Sequence, residues 1–336
     1  MAIERAVKAV LSDPATFSAK VLGKPLRPYQ LEPARAILDS IVNRKGYTIS
    51  VMMSRQAGKN ELSAQLECYL LNLFQRKGGN IVKCAPTFKP QVVNSFQRLQ
   101  GCLDNPWNAG RARTAWGYIV RLGRAQVMFF SAEPSSNVVG ATAHIALEFD
   151  EAQDIAPDKH DKEFVPMGAT TNATKVYYGT AWDDSTLLER VKQANLEMER
   201  ADGVRRHFEY PWPVVAEHNP LYGAYVEGEM ARLGESHPLF RTQYKLETIS
   251  GTAGFLSAQQ RAQMAGEHPR EHRRSDDAVY VAGVDIAGAD EQAEDAALRS
   301  LKPRKDSTVV TIGRLDFSLV SDLVAEPRVQ VVEHYW

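Results

Sequence analysis

Three short stretches carry residue types that could act on a phosphate ester. The first, "SVMMSRQAGKNELSAQL" (Ser50–Leu66), runs from apolar residues through a turn into an amphipathic run. It ends like a phosphate-binding loop, with Gly58 and Lys59 ahead of a helix start. Such a turn gathers backbone N–H groups around one point, and the helix dipole adds partial positive charge there. Ser54, Arg55, Gln56, Ala57, Gly58, Lys59 and Asn60 would form the cradle. Lys59 would reach the β- and γ-phosphates of ATP as a mobile point charge. Met53 stands where the usual pattern has its first Gly, which matters little where no positive φ is required. Asn60 stands where Ser or Thr normally touches Mg²⁺; a carboxamide oxygen ligates the ion directly or through water, but less compactly. Alone, the loop reads equally well as a helix N-terminus with an incidental Gly-Lys.

The second stretch, "IALEFDEAQ" (Ile145–Gln153), is an apolar segment ending in adjacent acids. Downstream of a phosphate loop, Asp150 would hold the hydration shell of Mg²⁺ and Glu151 would orient and activate the attacking water. A strand-end Asp-Glu is common by itself; after a loop and helix of this kind the pair gains weight. Glu148, within the same strand, is expected at an edge or on a polar face. In the third stretch, "YYGTAWDDSTLLER" (Tyr177–Arg190), the Thr180 hydroxyl at a strand end could sense the γ-phosphate, while Asp184 or Ser185 caps the next helix. Further upstream, Gln30 in "LRPYQLEPARAIL" can donate and accept as an adenine edge requires, and Tyr29 could stack; a helix start with a surface Gln is the plainer reading.

These residues need an alternating frame to bring them together. Apolar residues from Leu31 to Val42 recur at helical spacing, "YTISVMM" reads as a buried strand, and Leu62, Leu66, Tyr69, Leu70 and Leu73 share a helical face. "NIVKCAP", "HIALEFDEAQ" and "TKVYYGTAW" read as further strands, and "YIVRLGRAQVMFFS" as a hairpin turning near Gly123-Arg124. The fold class is α/β, a mostly parallel sheet with helices on both faces. Residues 1–183 would form the core, 184–250 a mainly helical subdomain, 251–278 a linker, and 279–336 the first strands of a second domain, left with one uncovered face.

At 336 residues and a formal net charge of −1, bulk composition offers no basic surface for nucleic acid; any such surface must come from folding. The candidates are Arg205-Arg206-His207 and Arg270 to Arg274, each expected to be a solvated face, and "GRARTAWGYIVRLGR" (Gly110–Arg124), also Arg-rich and next to the hairpin. No apolar run is long enough to cross a bilayer, and no membrane partner is expected. Cys68, Cys84 and Cys102 have no metal-ligand spacing and are expected to pack as small apolar groups.

Taken in order, "RPYQ", "MSRQAGKNE", "CAPTFKPQ", "VGATAHIALEFDEAQ", "YYGTAWDDSTLLER", "AGVDIAG" and "KDSTVVTIG" resemble the large subunit of the tailed-bacteriophage terminase. That resemblance implies a P-loop ATPase joined to a ribonuclease-H-like nuclease, pumping double-stranded DNA into a procapsid and cutting it. It implies that Arg55 acts on the γ-phosphate, that Gln30 reads adenine and that Thr180 couples hydrolysis to movement. It further implies Asp285 and Asp306 as ligands of nuclease Mg²⁺ or Mn²⁺, with more acids taken from segments after Trp336. The implied partners are the terminase small subunit and the procapsid portal, with a homo-oligomeric ring on the portal and a monomer away from it, in the cytoplasm of the infected bacterial host. Asp290, Glu291, Glu294 and Asp295 read as a solvated charge run. Two other readings stay open: a helicase-like DNA-dependent ATPase, and a nucleotide-binding assembly component in which Asn60 has abolished turnover.

Overall fold

The computed structural model describes residues 7–136, 138, 140–249, 268–285, 308–318, 320 and 326–335. The chain divides into two compact units, Met1–Ala253 and Gly254–Trp336. In the first, helices α1 (Pro14–Lys20) and α2 (Pro28–Val42) precede strand β1 (Thr48–Met53), helix α3 (Lys59–Phe74), strand β2 (Gly79–Ala85) and helix α4 (Val93–Leu103). Strands β3 (Ala112–Ala115), β4 (Ile119–Leu122), β5 (Ala125–Ser131), β6 (Ala146–Phe149) and β7 (Thr174–Gly179) follow. The unit ends with α5 (Leu187–Asp202), β8 (His207–Tyr210), α6 (Trp212–His218), α7 (Pro220–Leu233) and a short turn at Arg241–Lys245.

Eight strands form one sheet in the order β3-β4-β5-β2-β6-β7-β1-β8. The pairings from β5 through β8 are all parallel, and β3 and β4 add an antiparallel edge. The central strands are buried on both faces, as a helix-covered parallel sheet requires. Strand β7 lies between β1 and β6, so the residues following β1, β6 and β7 emerge side by side at one sheet end. Ligands of open α/β sheets bind at that end.

Three expectations are corrected. Helix α3 does not bury one stripe: from Leu62 to Asn72 it is enclosed nearly all round, so the polar Ser63, Glu67 and Asn72 are inside. Glu148 does not lie at an edge: on central strand β6 it is wholly buried, turned to a polar cluster. It accepts from Ser63 Oγ at 2.8 Å, and Lys83 Nζ donates to both Ser63 Oγ (2.7 Å) and Glu67 Oε1 (2.8 Å). Burial pushes the Glu148 carboxyl up to about 8, and neighbouring Glu67 reinforces it. Burial likewise raises Glu67, against the pull of Lys83. A protonated Glu148 thus leaves one Lys and one carboxylate as the charged pair. Lastly, the segment after Asp184 is mainly helical but also supplies β8, which pairs with β1. Within it Arg206 is buried, bound to Asp202 at 2.6 Å and stacked over Tyr47, and buried His207 meets Ser50 Oγ at 2.8 Å. The Arg205-Arg206-His207 cluster therefore anchors the edge strand; Arg205 alone stays half exposed, paired with Glu32.

In the second unit β9 (Val279–Asp285), β10 (Val309–Asp316) and β11 (Arg328–Tyr335) pair antiparallel in the order β11-β10-β9. Val279, Val281, Val284, Val329 and Val331 are exposed. Asp306, the charge run Asp290–Asp295 and residues 251–267 of the expected linker lie outside the described residues. The three cysteines are free and buried.

Candidate nucleotide site

Residues 54–58 connect β1 to α3. Met53 is the last, fully buried residue of β1, and the left-handed conformation falls on Gln56 (φ 63°) and Gly58 (φ 94°) instead. A Cβ on Gly58 would stand 2.7 Å from Gln30 Nε2 and displace that amide, and the positive φ favours glycine there. The loop is clamped from α2: the Gln30 amide donates to Gly58 O at 3.0 Å and the Tyr29 hydroxyl to Ala57 O at 2.8 Å. Gln30 Oε1 also accepts from the backbone of Arg27. Both ends of the amide expected to read adenine are thus engaged within the protein, and Tyr29 is buried.

A cavity of about 660 Å³ opens over this loop. Its walls include Arg55, Lys59 and Asn60 of the loop, Arg98 of α4, Glu151 after β6, and Thr180 after β7. Lys59 Nζ lies 2.8 Å from Glu151 Oε2. Glu151 adopts φ 48°, sparsely populated for a non-glycine residue. Burial would raise its carboxyl, but Lys59, the Gln153 amide and Arg55 outweigh it and hold Glu151 below the usual range. Asp150 is buried beside it, accepting from Ser95 Oγ at 3.3 Å and from the Glu151 N–H at 3.1 Å.

The oxygens available suit Mg²⁺, which binds through carboxylates, carbonyls and waters. Asn60 Oδ1 is buried without a hydrogen-bond partner, an acceptor left open beside Lys59. With Asp150 it would be the oxygen to hold the ion.

Gln153, quoted in the acid motif but given no role by sequence reasoning, joins two strand ends. Its amide donates to Glu151 Oε2 at 2.9 Å, and its side-chain carbonyl accepts the Thr180 N–H at 3.3 Å. Gly179 makes room: a Cβ there would stand 2.2 Å from Gln153 Oε1. Gln243, Tyr222 and Arg98 carried no sequence signal, being single polar residues far from any motif. Gln243 Nε2 donates to Thr180 Oγ1 at 3.3 Å and its backbone carbonyl accepts the Arg55 N–H at 2.8 Å. The Tyr222 hydroxyl donates to Arg55 O and meets Ser54 Oγ, each at 2.8 Å.

No protein-family model matches the sequence, and the comparison with curated proteins finds no match. Solved structures do match. The large terminase of bacteriophage HK97 superposes with a TM-score of 0.58 at 17% identity, covering 90% of this chain and 64% of that one. The fold is that of the phage large terminases. The large terminase ATPase domain of Thermus phage P74-26 is covered over 99% of its length by 70% of this chain, with a TM-score of 0.52 and 16% identity. The large terminase of a thermophilic bacteriophage, solved in complex with ADP, gives 0.52 at 12% identity, covering 92% of this chain and 68% of that one. The chain thus spans about two thirds of the length of these two full terminases. In the eight-stranded unit that shares this fold, the cavity residues that follow β1, β6 and β7 gather at one sheet end.

Asp285 ends β9 in an exposed position opposite Val309. Among the described residues no group of three or more His, Cys, Asp or Glu is arranged to hold a metal. Glu333 is paired with Arg270 and with His272 Nδ1, the latter at 2.8 Å. At the turn between β3 and β4, Trp116 is 75% exposed, with Arg121 stacked 5.7 Å from its ring. Among the described residues no helix is long and apolar enough to cross a membrane.

Proposed function

We propose that this chain belongs to the terminase large subunits and works as the ATP-hydrolysing motor that drives double-stranded DNA into a procapsid. The carrying observation is the 2.8 Å approach of Lys59 to Glu151 across a loop-bounded cavity, with Asp150 adjacent. Backbone N–H groups of residues 54–60 and the Lys59 ammonium bind the triphosphate. Arg55 lies at the cavity wall, exposed, where a guanidinium can meet the γ-phosphate. Asp150 and Asn60 would hold Mg²⁺, which when bound would supply positive charge to the phosphate oxygens. Glu151, kept ionised, accepts a proton from the attacking water. Thr180 stands where its hydroxyl can follow the presence of the γ-phosphate. For Gln30 to read adenine, its amide must exchange the Gly58 carbonyl for the base.

DNA is taken as the moving substrate, with the Arg113, Trp116 and Arg121 edge as the exposed surface best suited to a phosphate backbone. The small subunit and portal are the proposed partners, in a ring assembled in the infected bacterial cytoplasm, where a neighbour's arginine completes the site. A metal-dependent nuclease including Asp285 and Asp306 is proposed for the whole protein. Phosphate release from ATP and Mg²⁺ tests the motor reading: slow turnover that Lys59→Ala abolishes is expected. Equal turnover in wild type and Lys59→Ala would overturn it.

A further inference from the structure

Arg55 is the loop cation, yet neither of its backbone groups is held by the loop. Its N–H donates to Gln243 O and its C=O accepts from the Tyr222 hydroxyl, each at 2.8 Å. A Tyr hydroxyl has one hydrogen. With it given to Arg55 O, the Ser54 hydroxyl must be the donor in the Ser54–Tyr222 bond, so its proton is committed to Tyr222. The helical segment after Pro220 therefore sets both the placement of Arg55 and the orientation of Ser54.

The Gln243 side chain extends this control to the other side of the cavity. Its amide reaches Thr180 Oγ1; the Thr180 N–H goes to Gln153, and Gln153 goes to Glu151, which meets Lys59. The contacts close a circuit: Lys59, Glu151, Gln153, Thr180, Gln243, Arg55 and back along the loop. Within that circuit Gln243 alone belongs to the helical segment, and it also lines the cavity beside Thr180.

We infer that Gln243 is a positioning residue for hydrolysis, fixing Arg55 through its backbone and Thr180 through its side chain, so that the helical segment enters the nucleotide site. The inference rests on the ATPase reading. Gln243 acts through Thr180 and Arg55. Removing its amide should leave nucleotide binding by the loop intact and misplace the groups that act during turnover.

The test uses Gln243→Met, which keeps length and packing but cannot donate, together with Thr180→Val and the double variant. Steady-state kcat, KM for ATP and Kd for ADP are measured on each, with thermal melting as a check on folding. Loss of one neutral hydrogen bond predicts kcat lower by about threefold to tenfold in Gln243→Met. KM and the ADP Kd should stay within about twofold, and Gln243→Met should cause no further fall on the Thr180→Val background. Unchanged kcat, a matching loss of ADP affinity, or full additivity with Thr180→Val would overturn the inference while leaving the ATPase reading standing. Wild-type turnover in a parallel Lys59→Ala sample would instead remove the ATPase reading, and the inference with it.

Discussion

Lys59 and Glu151 come from different elements, one opening α3 and the other following β6, and they meet at 2.8 Å. The ammonium that would bind phosphate is neutralised by the carboxylate that would activate water. Both groups are thereby placed, but each must release the other before the site can work.

If the site takes the proposed nucleotide, this ion pair competes with it, which gives an unusual expectation for Glu151→Gln. The substitution frees Lys59 and removes a negative charge facing the triphosphate. The pair is partly solvated, so the gain is on the order of 1 kcal/mol, about fivefold tighter binding of ATP. Titration with a fluorescent ATP analogue reads it; weaker binding by the variant would count against the competition.

Asn60 replaces the customary hydroxyl and leaves Oδ1 without a partner. Asn60→Ala should raise the Mg²⁺ concentration for half-maximal turnover by about tenfold. Stability should change by less than about 0.5 kcal/mol, since no hydrogen bond of that oxygen is lost. An unaltered Mg²⁺ dependence would show that the carboxamide takes no part in holding the ion.

The buried cluster behind the site makes stability depend on pH. A Glu in the unfolded chain loses its proton near 4.5, whereas Glu148 in the fold keeps it to about 8. Between those values folding takes up a proton, so stability falls as pH rises through the window and levels off above it. The slope is about 1.4 kcal/mol per pH unit for this one group. Glu148→Gln mimics the protonated carboxyl and removes the dependence. Its melting temperature relative to wild type should therefore rise steadily from about pH 5 to about pH 8; a constant difference would contradict a protonated Glu148.

Gly179 has no space for a methyl group, which would meet Gln153 Oε1 at 2.2 Å and Leu188 Cδ2 at 2.5 Å. Gly179→Ala should destabilise by about 1–3 kcal/mol through overpacking. It should also lower kcat, because the displaced amide is the one that holds Glu151. A melt and a phosphate-release assay on the same sample separate the two effects; wild-type behaviour in both would mean that Gln153 has room to move.

The frame was legible because its strands are long apolar runs bounded by turns. β1, β2, β6 and β7 lie where sequence reasoning puts them, and the hairpin turns at Gly123-Arg124. That Lys59 and Glu151 would meet was legible because the Gly-Lys turn and the strand-end acids are each short, recognisable patterns. β8 was not: "HFEY" is four residues long, preceded by arginines, and its place beside β1 depends on the tertiary partner. Glu148 misled because a carboxylate in a buried strand is expensive unless paired, and its partner Ser63, itself bonded by Lys83, comes from another element. Arg98, Tyr222 and Gln243 were illegible for the same reason: each matters through where the chain places it, and no local pattern marks it.

The most direct test is single-turnover hydrolysis of bound ATP by Glu151→Gln, with nucleotide occupancy confirmed in the same experiment. If Lys59 and Glu151 serve one nucleotide, the variant binds ATP and cleaves it about 10²- to 10⁴-fold more slowly than wild type. Cleavage at the wild-type rate by a fully occupied variant would contradict the account.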